Sequence, residues 1–386
     1  MKANKIKDDV FWLGVNSPSS REFHGISTPR GGSYNSYLVL DEKPTIIEGT
    51  GKPFIQEYLK SLKSKINPEK IEYIIIDHAE PDHAGAINEI KEVCSNAKIV
   101  CTEKCKDFLI AAFGVQSEFV IVKEGDELNI GKRTFKFFPD PMVHWPETMM
   151  SYLVEEKMLF SADLFGTEIS HEKLFADEMK PFQEITRDYF AIVMRHYAIP
   201  VQKAIEKART LEIEYILSSH GPIYRQNVQS IMDYYYKLAT EPEENKVAIF
   251  YYSIWHSSEK MADEIAKGVE EAGSVAVKYD INQSNFVRMM AEAMTSKAIA
   301  LGSLTLFAGH HPLFNAFFDF LQLNNQPGKK AGVFGTYGWV SEAVPKLKQK
   351  LMDLKYDMIG DVDMRFGPKT DKDLLRLREL GKKLAE

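Results

Sequence analysis

From residue 246 to the end of the chain, five short apolar runs alternate with five stretches of helical periodicity, and this alternation constrains the fold more than any other feature. The apolar runs are 246–252, 274–279, 297–302, 330–334 and 357–366, and the helical stretches are 259–271, 286–294, 313–323, 342–354 and 372–384. Neighbouring parallel strands need a crossover of a dozen or more residues, usually a helix, and each interval here has the room for one. The pattern predicts a doubly wound parallel sheet of α/β class. Ligands of such sheets bind beyond the carboxyl ends of the strands, so the loops after the first, third and fourth strands are the ones to read for function.

The first of these loops is Ser253-Ile254-Trp255-His256-Ser257-Ser258, rich in hydroxyls and running straight into a helix. Hydroxyls, free backbone N–H groups and the helix dipole together suit a phosphate. The loop has neither the spacing of a dinucleotide fingerprint nor the Gly-Lys-Ser of a P-loop, which disfavours a nucleotide. The third-strand loop opens with Ser303, Leu304 and Thr305. The fourth, Gly335-Thr336-Tyr337-Gly338-Trp339, offers glycines for close backbone approach and aromatics to stack on a flat ring. Any one of these is an ordinary turn composition. Their joint placement at the strand ends points to flavin mononucleotide (FMN).

Just upstream, Thr240-Glu241-Pro242-Glu243-Glu244-Asn245 is polar, acidic and interrupted by proline, and reads as a linker. It divides the chain into expected domains 1–245 and 246–386, each large enough for its own core. In the first domain short β-rich runs and turns dominate, with longer helical stretches interposed. Its strongest local signal is Ile74-Ile75-Ile76-Asp77-His78-Ala79-Glu80-Pro81-Asp82-His83, an apolar strand that ends in a cluster of ionisable groups. Further ligand types stand at other strand ends: His144 in the run His144-Trp145-Pro146-Glu147, Asp163 after Phe160-Ser161-Ala162, and His220 before Gly221-Pro222. A lone strand-end His is more often a hydrogen-bonded structural residue, and a lone Asp a cap or turn residue. The cluster is different, because packing so many ionisable groups together is electrostatically costly without a cation. His78, His83, His144 and His220 with Glu80, Asp82 and Asp163 supply four imidazoles and three carboxylates, enough for two metals sharing one carboxylate. Such an oxygen and nitrogen set suits iron or manganese, whereas a His-richer set suits zinc.

Composition narrows the classes. A net charge of −7 with interspersed signs gives no basic face for nucleic acid. No stretch approaches 18 consecutive apolar residues, and the start, MKANKIKDDVFWLGV, lacks a signal-peptide core, so a cytoplasmic protein is expected. Cys94, Cys101 and Cys105 are too few and wrongly spaced for a disulfide framework or a thiolate metal site. Iron, if present, is therefore held by nitrogen and oxygen.

These residues carry a family pattern. In order and interval, His78, Glu80, Asp82, His83, His144, Asp163 and His220 resemble the ligand set of the flavodiiron proteins, also called A-type flavoproteins. The resemblance spans essentially the whole chain. It implies an N-terminal metallo-β-lactamase-like αββα sandwich followed by a flavodoxin-like domain. It also implies one iron bound by His78, Glu80 and His144, a second by Asp82, His83 and His220, and Asp163 bridging them. Hydrolases of this sandwich fold bind zinc and carry His where this chain has Glu80, so Glu80 turns the expectation from hydrolysis to redox. The run Phe23-His24-Gly25 and Tyr189 resemble residues placed to hydrogen-bond an oxygen intermediate, and Trp145 resembles an aromatic near the flavin face; packing roles are the alternative for each. His171, His196, His256, His310 and His311 match no metal-ligand position. The loop Ser303-Leu304-Thr305-Leu306-Phe307-Ala308-Gly309 departs from the family, where proline and asparagines are more frequent, which bears on how the flavin ring edge is hydrogen-bonded.

The activity implied is reduction of dioxygen to water, with nitric oxide reduction to nitrous oxide as the alternative at the same site. A separate electron donor, either rubredoxin or a reduced deazaflavin coenzyme, is expected. So is a head-to-tail homodimer or a dimer of dimers that brings each flavin to its partner's irons. Two other classes compete: a zinc hydrolase joined to a flavodoxin-like domain, and an electron carrier whose N-terminal half is only structural.

Overall fold

The computed structural model describes residues 4–23 and 26–386, without the side chains of residues 23, 26 and 27. The chain forms two compact units, Met1–Thr240 and Glu241–Glu386. Glu244 and Asn245, which composition places in the linker, already belong to the strand Glu244–Tyr252 that opens the second unit.

The first unit stacks two sheets. One has seven strands, in the order Asn4–Lys7, Val10–Trp12, Tyr37–Val39, Thr45–Ile47, Tyr73–Ile75, Lys98–Cys101 and Phe119–Ile121. The other has five: Glu127–Asn129, Thr134–Pro139, Met149–Leu153, Met158–Phe160 and Tyr215–Leu217. The period of two in a strand sorts side chains between two cores. Leu38, Ile46, Ile74, Ile76, Ile99 and Cys101 face a helical layer that includes Ile55–Lys63, Ile87–Val93 and Glu103–Phe113. Tyr37, Val39, Ile47, Ile75 and Val100 face the second sheet and meet Phe135, Phe137, Met149, Phe160 and Leu217. Tyr37 and Phe135 both pack against Phe160, with ring centroids 5.3 and 5.9 Å apart. This is why Ile74-Ile75-Ile76 is apolar without alternation: a strand covered on both faces needs no polar side. Cys94, Cys101 and Cys105 are all buried in the helical-layer core as free thiols.

The second unit is a five-stranded parallel sheet in the order Val275–Asp280, Glu244–Tyr252, Ser296–Leu304, Lys330–Tyr337 and Asp357–Arg365. In chain order this is 2-1-3-4-5, the flavodoxin-like arrangement, with its switch point between the first and third strands. Helices Ser257–Glu271 and Asp371–Ala385 share one face, over Val247, Ile249, Ala298 and Ala300. Phe317 of helix Leu313–Asn324 packs on Phe250 from the other face, with centroids 4.6 Å apart. Gly268 and Gly381 let the first two helices touch, since a Cβ at Gly268 would stand 2.0 Å from the Arg378 carbonyl oxygen.

Two polar ties hold the loops at the strand ends of the first unit. Asn35 is buried, accepts from Trp12 Nε1 at 2.8 Å and donates through Nδ2 to the carbonyls of Ser218 (2.9 Å) and Gly221 (2.8 Å). The loop after Pro139 is held by Lys207, whose Nζ is 3.0 Å from Asp140 Oδ1 and donates to the Pro139 carbonyl at 2.8 Å. Burial nonetheless pushes the Asp140 carboxyl up to about 6, against the pull of Lys207.

Replacing Asn35 with Ala leaves the Trp12 N–H without its acceptor and takes a donor from the Gly221 and Ser218 carbonyls, of which Ser218 keeps the Tyr37 hydroxyl at 2.7 Å, at roughly 1–3 kcal/mol for each group left unpaired where water cannot reach. Denaturant unfolding should show the first unit losing about 2–4 kcal/mol, and a loss below about 1 kcal/mol would contradict the tie. Asp140 in the fold holds its proton more tightly than in the unfolded chain. Its contribution is therefore present at low pH and lost as pH rises through about 6. Unfolding of metal-free wild type and Asp140→Asn should show wild type gaining on the variant as pH falls from about 7 to about 5, because only wild type takes up that proton.

Candidate metal centre and flavin cavity

The metal centre forms where strands of both sheets end. The ladder of strand Tyr73–Ile75 stops, and Asp77 and His78 leave it with both backbone N–H groups donating to Glu48 Oε1, at 2.9 and 3.0 Å. Pro81 occupies the first helical position of the short helix Pro81–Ala84, where its missing N–H costs nothing. That turn swings Asp82 and His83 to the opposite side from His78 and Glu80. Asp163 follows strand Met158–Phe160 after Ala162, whose φ of 45° bends the chain sharply through the left-handed region. His220 follows strand Tyr215–Leu217 and is held by its Nδ1, 2.8 Å from the Ser33 carbonyl oxygen.

The seven side chains form two halves around one carboxylate. Asp163 Oδ2 lies 3.1 Å from His144 Nε2 and 3.9 Å from His78 Nε2, and both imidazoles stand 3.1 Å from Glu80 Oε2. Asp163 Oδ1 lies 3.1 Å from His83 Nε2 and 3.2 Å from His220 Nε2, which are 3.5 and 3.4 Å from the oxygens of Asp82. Donor atoms of His78, Glu80, His83 and Asp163 all fall within 4.8 Å of one another, as do those of Asp82, His83 and His220. His83 belongs to both groups by distance, but its 3.1 Å contact to Oδ1 places it with His220.

The electrostatics ask for cations. Asp163 is wholly buried, and burial alone would raise its carboxyl. His83 and His220, with His144 also close to its oxygens, instead hold it well below the usual range. Burial likewise opposes charge on His144, yet Asp163 and Glu80 hold its imidazole up to about 9. Without metal, then, protons on imidazoles supply the positive charge that these carboxylates require. Both oxygens of Asp82, both of Asp163 and Nε2 of His83 are buried without a hydrogen-bond partner. Buried polar atoms are rarely left so unless a ligand or ion completes them. Four imidazoles and three carboxylates gathered this closely have the donor chemistry to hold metal ions.

An outer layer completes the centre, and sequence reasoning missed most of it. Glu147 Oε1 is 2.8 Å from His78 Nδ1 and accepts the Ala79 N–H at 3.0 Å. Burial works to raise the Glu147 carboxyl, but His78 and these hydrogen bonds hold it below its ordinary value. Glu48 supports the His78 backbone, Ser33 holds His220, and Glu168 lies 4.0 Å from His220 Nδ1 with its carboxyl pushed up to about 8 by burial. Glu147 stands in the same short run as His144, but nothing local points it at His78. Tyr189 ends helix Gln183–Tyr189, before a π-helical turn, and its hydroxyl donates to the Asp163 carbonyl at 3.3 Å. Trp145 packs edge-on against His78, with centroids 5.2 Å apart. His24 lies outside the described residues.

In the second unit a cavity of about 830 Å³ opens at the carboxyl ends of the first, third and fourth strands. Ser253, Ile254, Trp255, Ser257, Ser258, Leu304, Thr305, Thr336, Tyr337, Gly338 and Trp339 line it. His256 and Ser303 do not. His256 has φ of 58°, which turns its ring outward to Glu259, with Nδ1 2.6 Å from Oε2. Ser303 is buried beneath the loop, where its hydroxyl oxygen accepts the His311 N–H at 3.1 Å. Lining residues outside the sequence-based set include Phe307 and Phe366. Phe307 and Ala308 (φ 51° and 56°) form a two-residue turn closed by reciprocal Leu306–Gly309 hydrogen bonds. Trp255, Phe307, Trp339 and Phe366 are 74, 88, 90 and 61% exposed around the cavity, an apolar rim suited to a flat ring. Ser258 Oγ, at the start of helix Ser257–Glu271, is buried without a hydrogen-bond partner, as expected of a group that meets a phosphate oxygen. The cavity fits FMN.

No described helix is long and apolar enough to cross a membrane. The family described as ODP family beta lactamase matches residues 33–221, and the flavodoxin family matches residues 249–378. A nitric oxide reductase of Moorella thermoacetica is 31% identical over 98% of this chain and 97% of its own length. The flavodiiron protein of Giardia intestinalis superposes with a TM-score of 0.97 at 31% identity, covering 100% of this chain and 96% of that one. The rubredoxin oxygen:oxidoreductase of Desulfovibrio gigas superposes at 0.94 with 32% identity, covering 100% and 98%. A likeness at this level across both units, with the metal centre and flavin cavity in place, means that the chain belongs to the flavodiiron proteins, oxidoreductases that carry FMN and a pair of iron ions.

Proposed function

We propose that this protein reduces dioxygen to water at the buried His and carboxylate centre, with electrons that arrive through FMN. The observation that carries the reading is the division of labour at Asp163, whose two oxygens each face a separate set of two imidazoles and one carboxylate. In this reading His78, Glu80 and His144 hold one iron, Asp82, His83 and His220 hold the other, and Asp163 joins them. When bound, reduced flavin and two ferrous ions together supply the four electrons that take dioxygen and four protons to two waters.

The chain's own residues prepare that chemistry. Asp163 and the imidazoles fix the separation of the two metal positions, and burial keeps bulk water from the centre. Glu147 and the Ser33 carbonyl hold the Nδ1 protons of His78 and His220, which leaves each Nε2 free to bind metal. The Tyr189 hydroxyl and Trp145 ring stand at the wall of the centre, where the first would orient Asp163 and the second would exclude water. Around the second cavity, the hydroxyls of the Ser253–Ser258 loop would hold the FMN phosphate, and Trp339 and Tyr337 would meet the ring.

Nitric oxide reduction, two molecules and two electrons giving nitrous oxide and water, is a second reading, favoured by the name of the Moorella thermoacetica relative. The D. gigas neighbour, named for oxygen and rubredoxin, favours the first and suggests the donor. A head-to-tail homodimer is part of the proposal, to be checked by mass in solution.

Anaerobically purified protein should contain about two irons and one FMN per chain; two zincs with thioester hydrolysis would end the iron reading. Asp163→Ala should lower iron content and slow gas consumption by more than the about 10–100-fold that loss of a group behind a ligand costs, since it removes the ligand common to both metals. Undiminished consumption by that variant would leave the N-terminal unit a merely structural role. Stopped-flow mixing of the fully reduced protein with each gas separates the two substrates. Oxygen uptake without peroxide release supports the proposal, and turnover with nitric oxide alone would replace it.

A further inference from the structure

We infer that Glu147 makes the two metal positions electronically unequal, acting as a positioning residue that leaves the iron at the His78 end the harder of the two to reduce. The inference rests on the ligand assignment proposed above. The two ligand sets are matched in kind: each has two imidazoles, one carboxylate and one oxygen of Asp163. With the ligand types matched, the layer behind the ligands is where a difference in charge between the two sets is built in.

That layer is unequal. Behind His78 stands a carboxylate, with Glu147 Oε1 2.8 Å from Nδ1 and both side chains fully buried. Behind His220 stands a neutral group, the Ser33 carbonyl oxygen at 2.8 Å. The carboxylates of Glu48 and Glu168 are 3.8 Å from His83 Nδ1 and 4.0 Å from His220 Nδ1, beyond hydrogen-bond range. Once Nε2 of His78 binds a metal, Nδ1 carries the ring proton and gives its hydrogen bond to an anion in a dry setting. Charge shifts toward the ring, the imidazole becomes the stronger donor, and the ferric state gains over the ferrous. The carboxylate cannot drift to another role, because the Ala79 N–H holds the same oxygen at 3.0 Å and Thr102 Oγ1 holds the Glu147 carbonyl at 3.0 Å.

A purely structural role for Glu147, tying residues 78 and 79 to the loop that bears His144, is the competing account. Glu147→Gln separates the two, since it keeps an oxygen to accept both N–H groups and removes only the charge. Iron per chain is measured first, on the FMN-loaded protein. Potentiometric titration with redox mediators, followed by Mössbauer and EPR spectroscopy, then resolves the two one-electron steps, each a transfer from mediator to one ferric ion. In wild type the steps should be separated. In Glu147→Gln the lower one should rise by at least about 59 mV, a tenfold change in its equilibrium, while the upper one moves by less than half as much. Equal movement of both steps, or of neither, with two irons retained, overturns the inference. If Glu147→Gln loses iron, Glu147→Asp decides: restored iron with separated steps upholds the role of the charge, and equal loss in both variants refutes it. A wild-type chain without about two irons would instead be a failure of the ligand assignment.

Discussion

The N-terminal unit depends on one electrostatic constraint: Asp163 is an entirely buried carboxylate, and it persists as an anion only because positive charge is delivered to both of its oxygens. Four imidazoles and two further carboxylates gather around it from three strand ends, and Asp163 itself follows a fourth. Each strand end has its own device for presenting a ligand. Glu48 catches the backbone of His78, Pro81 starts the turn that carries Asp82 and His83, and the left-handed Ala162 bends the chain into Asp163. Asn35 and Ser33 pin the segment that holds His220. Two sheets that end together, rather than one, are what allow six partners to surround a single side chain.

The flavin cavity follows from a different constraint. A parallel sheet of order 2-1-3-4-5 splays its connections at the switch point, and the loops there have no ladder partners to satisfy. The exposed backbone and the hydroxyls of residues 253–258 are available to a phosphate for that reason. Thr305 shows the limit of reading such loops by composition alone. It lines the cavity, yet its hydroxyl oxygen already accepts from the Glu342 and Ala343 N–H groups, at 3.2 and 3.1 Å, and so satisfies the start of the distant helix Ala343–Asp353. Phe307 and Ala308 adopt left-handed backbone angles that asparagine or glycine tolerate more easily, which places local strain beside the ring site.

Much of the fold is legible because its signals are local. Apolar runs and helical periods place the five C-terminal strands and helices within a few residues of where the structure has them, as with 286–294 against Phe286–Thr295. The linker boundary is less sharp, since Glu244 and Asn245 are polar yet lie in the strand, Glu244 paired with Ser296, where exposed positions tolerate either residue type. At the site, His and carboxylate residues after apolar strands stand out because side chains of that kind are rarely worth placing at a covered strand end. His256 and Ser303 mislead for the same reason that they attract notice: both are polar loop residues, and one left-handed φ or one internal hydrogen bond turns each away from the cavity.

The sequence by itself determined which residue types could bind metal and flavin, and that strand ends would present them, because periodicity and turn chemistry act over a few residues. Only the tertiary structure decided that the two oxygens of Asp163 face different histidines. It also decided that Glu147 backs His78 across 69 positions and that Asn35 reaches Ser218 across 183. Those pairings depend on the order and register of strands in two stacked sheets. A one-residue slip would turn every side chain of a strand to the opposite face, and no local pattern encodes which distant segment then lies alongside.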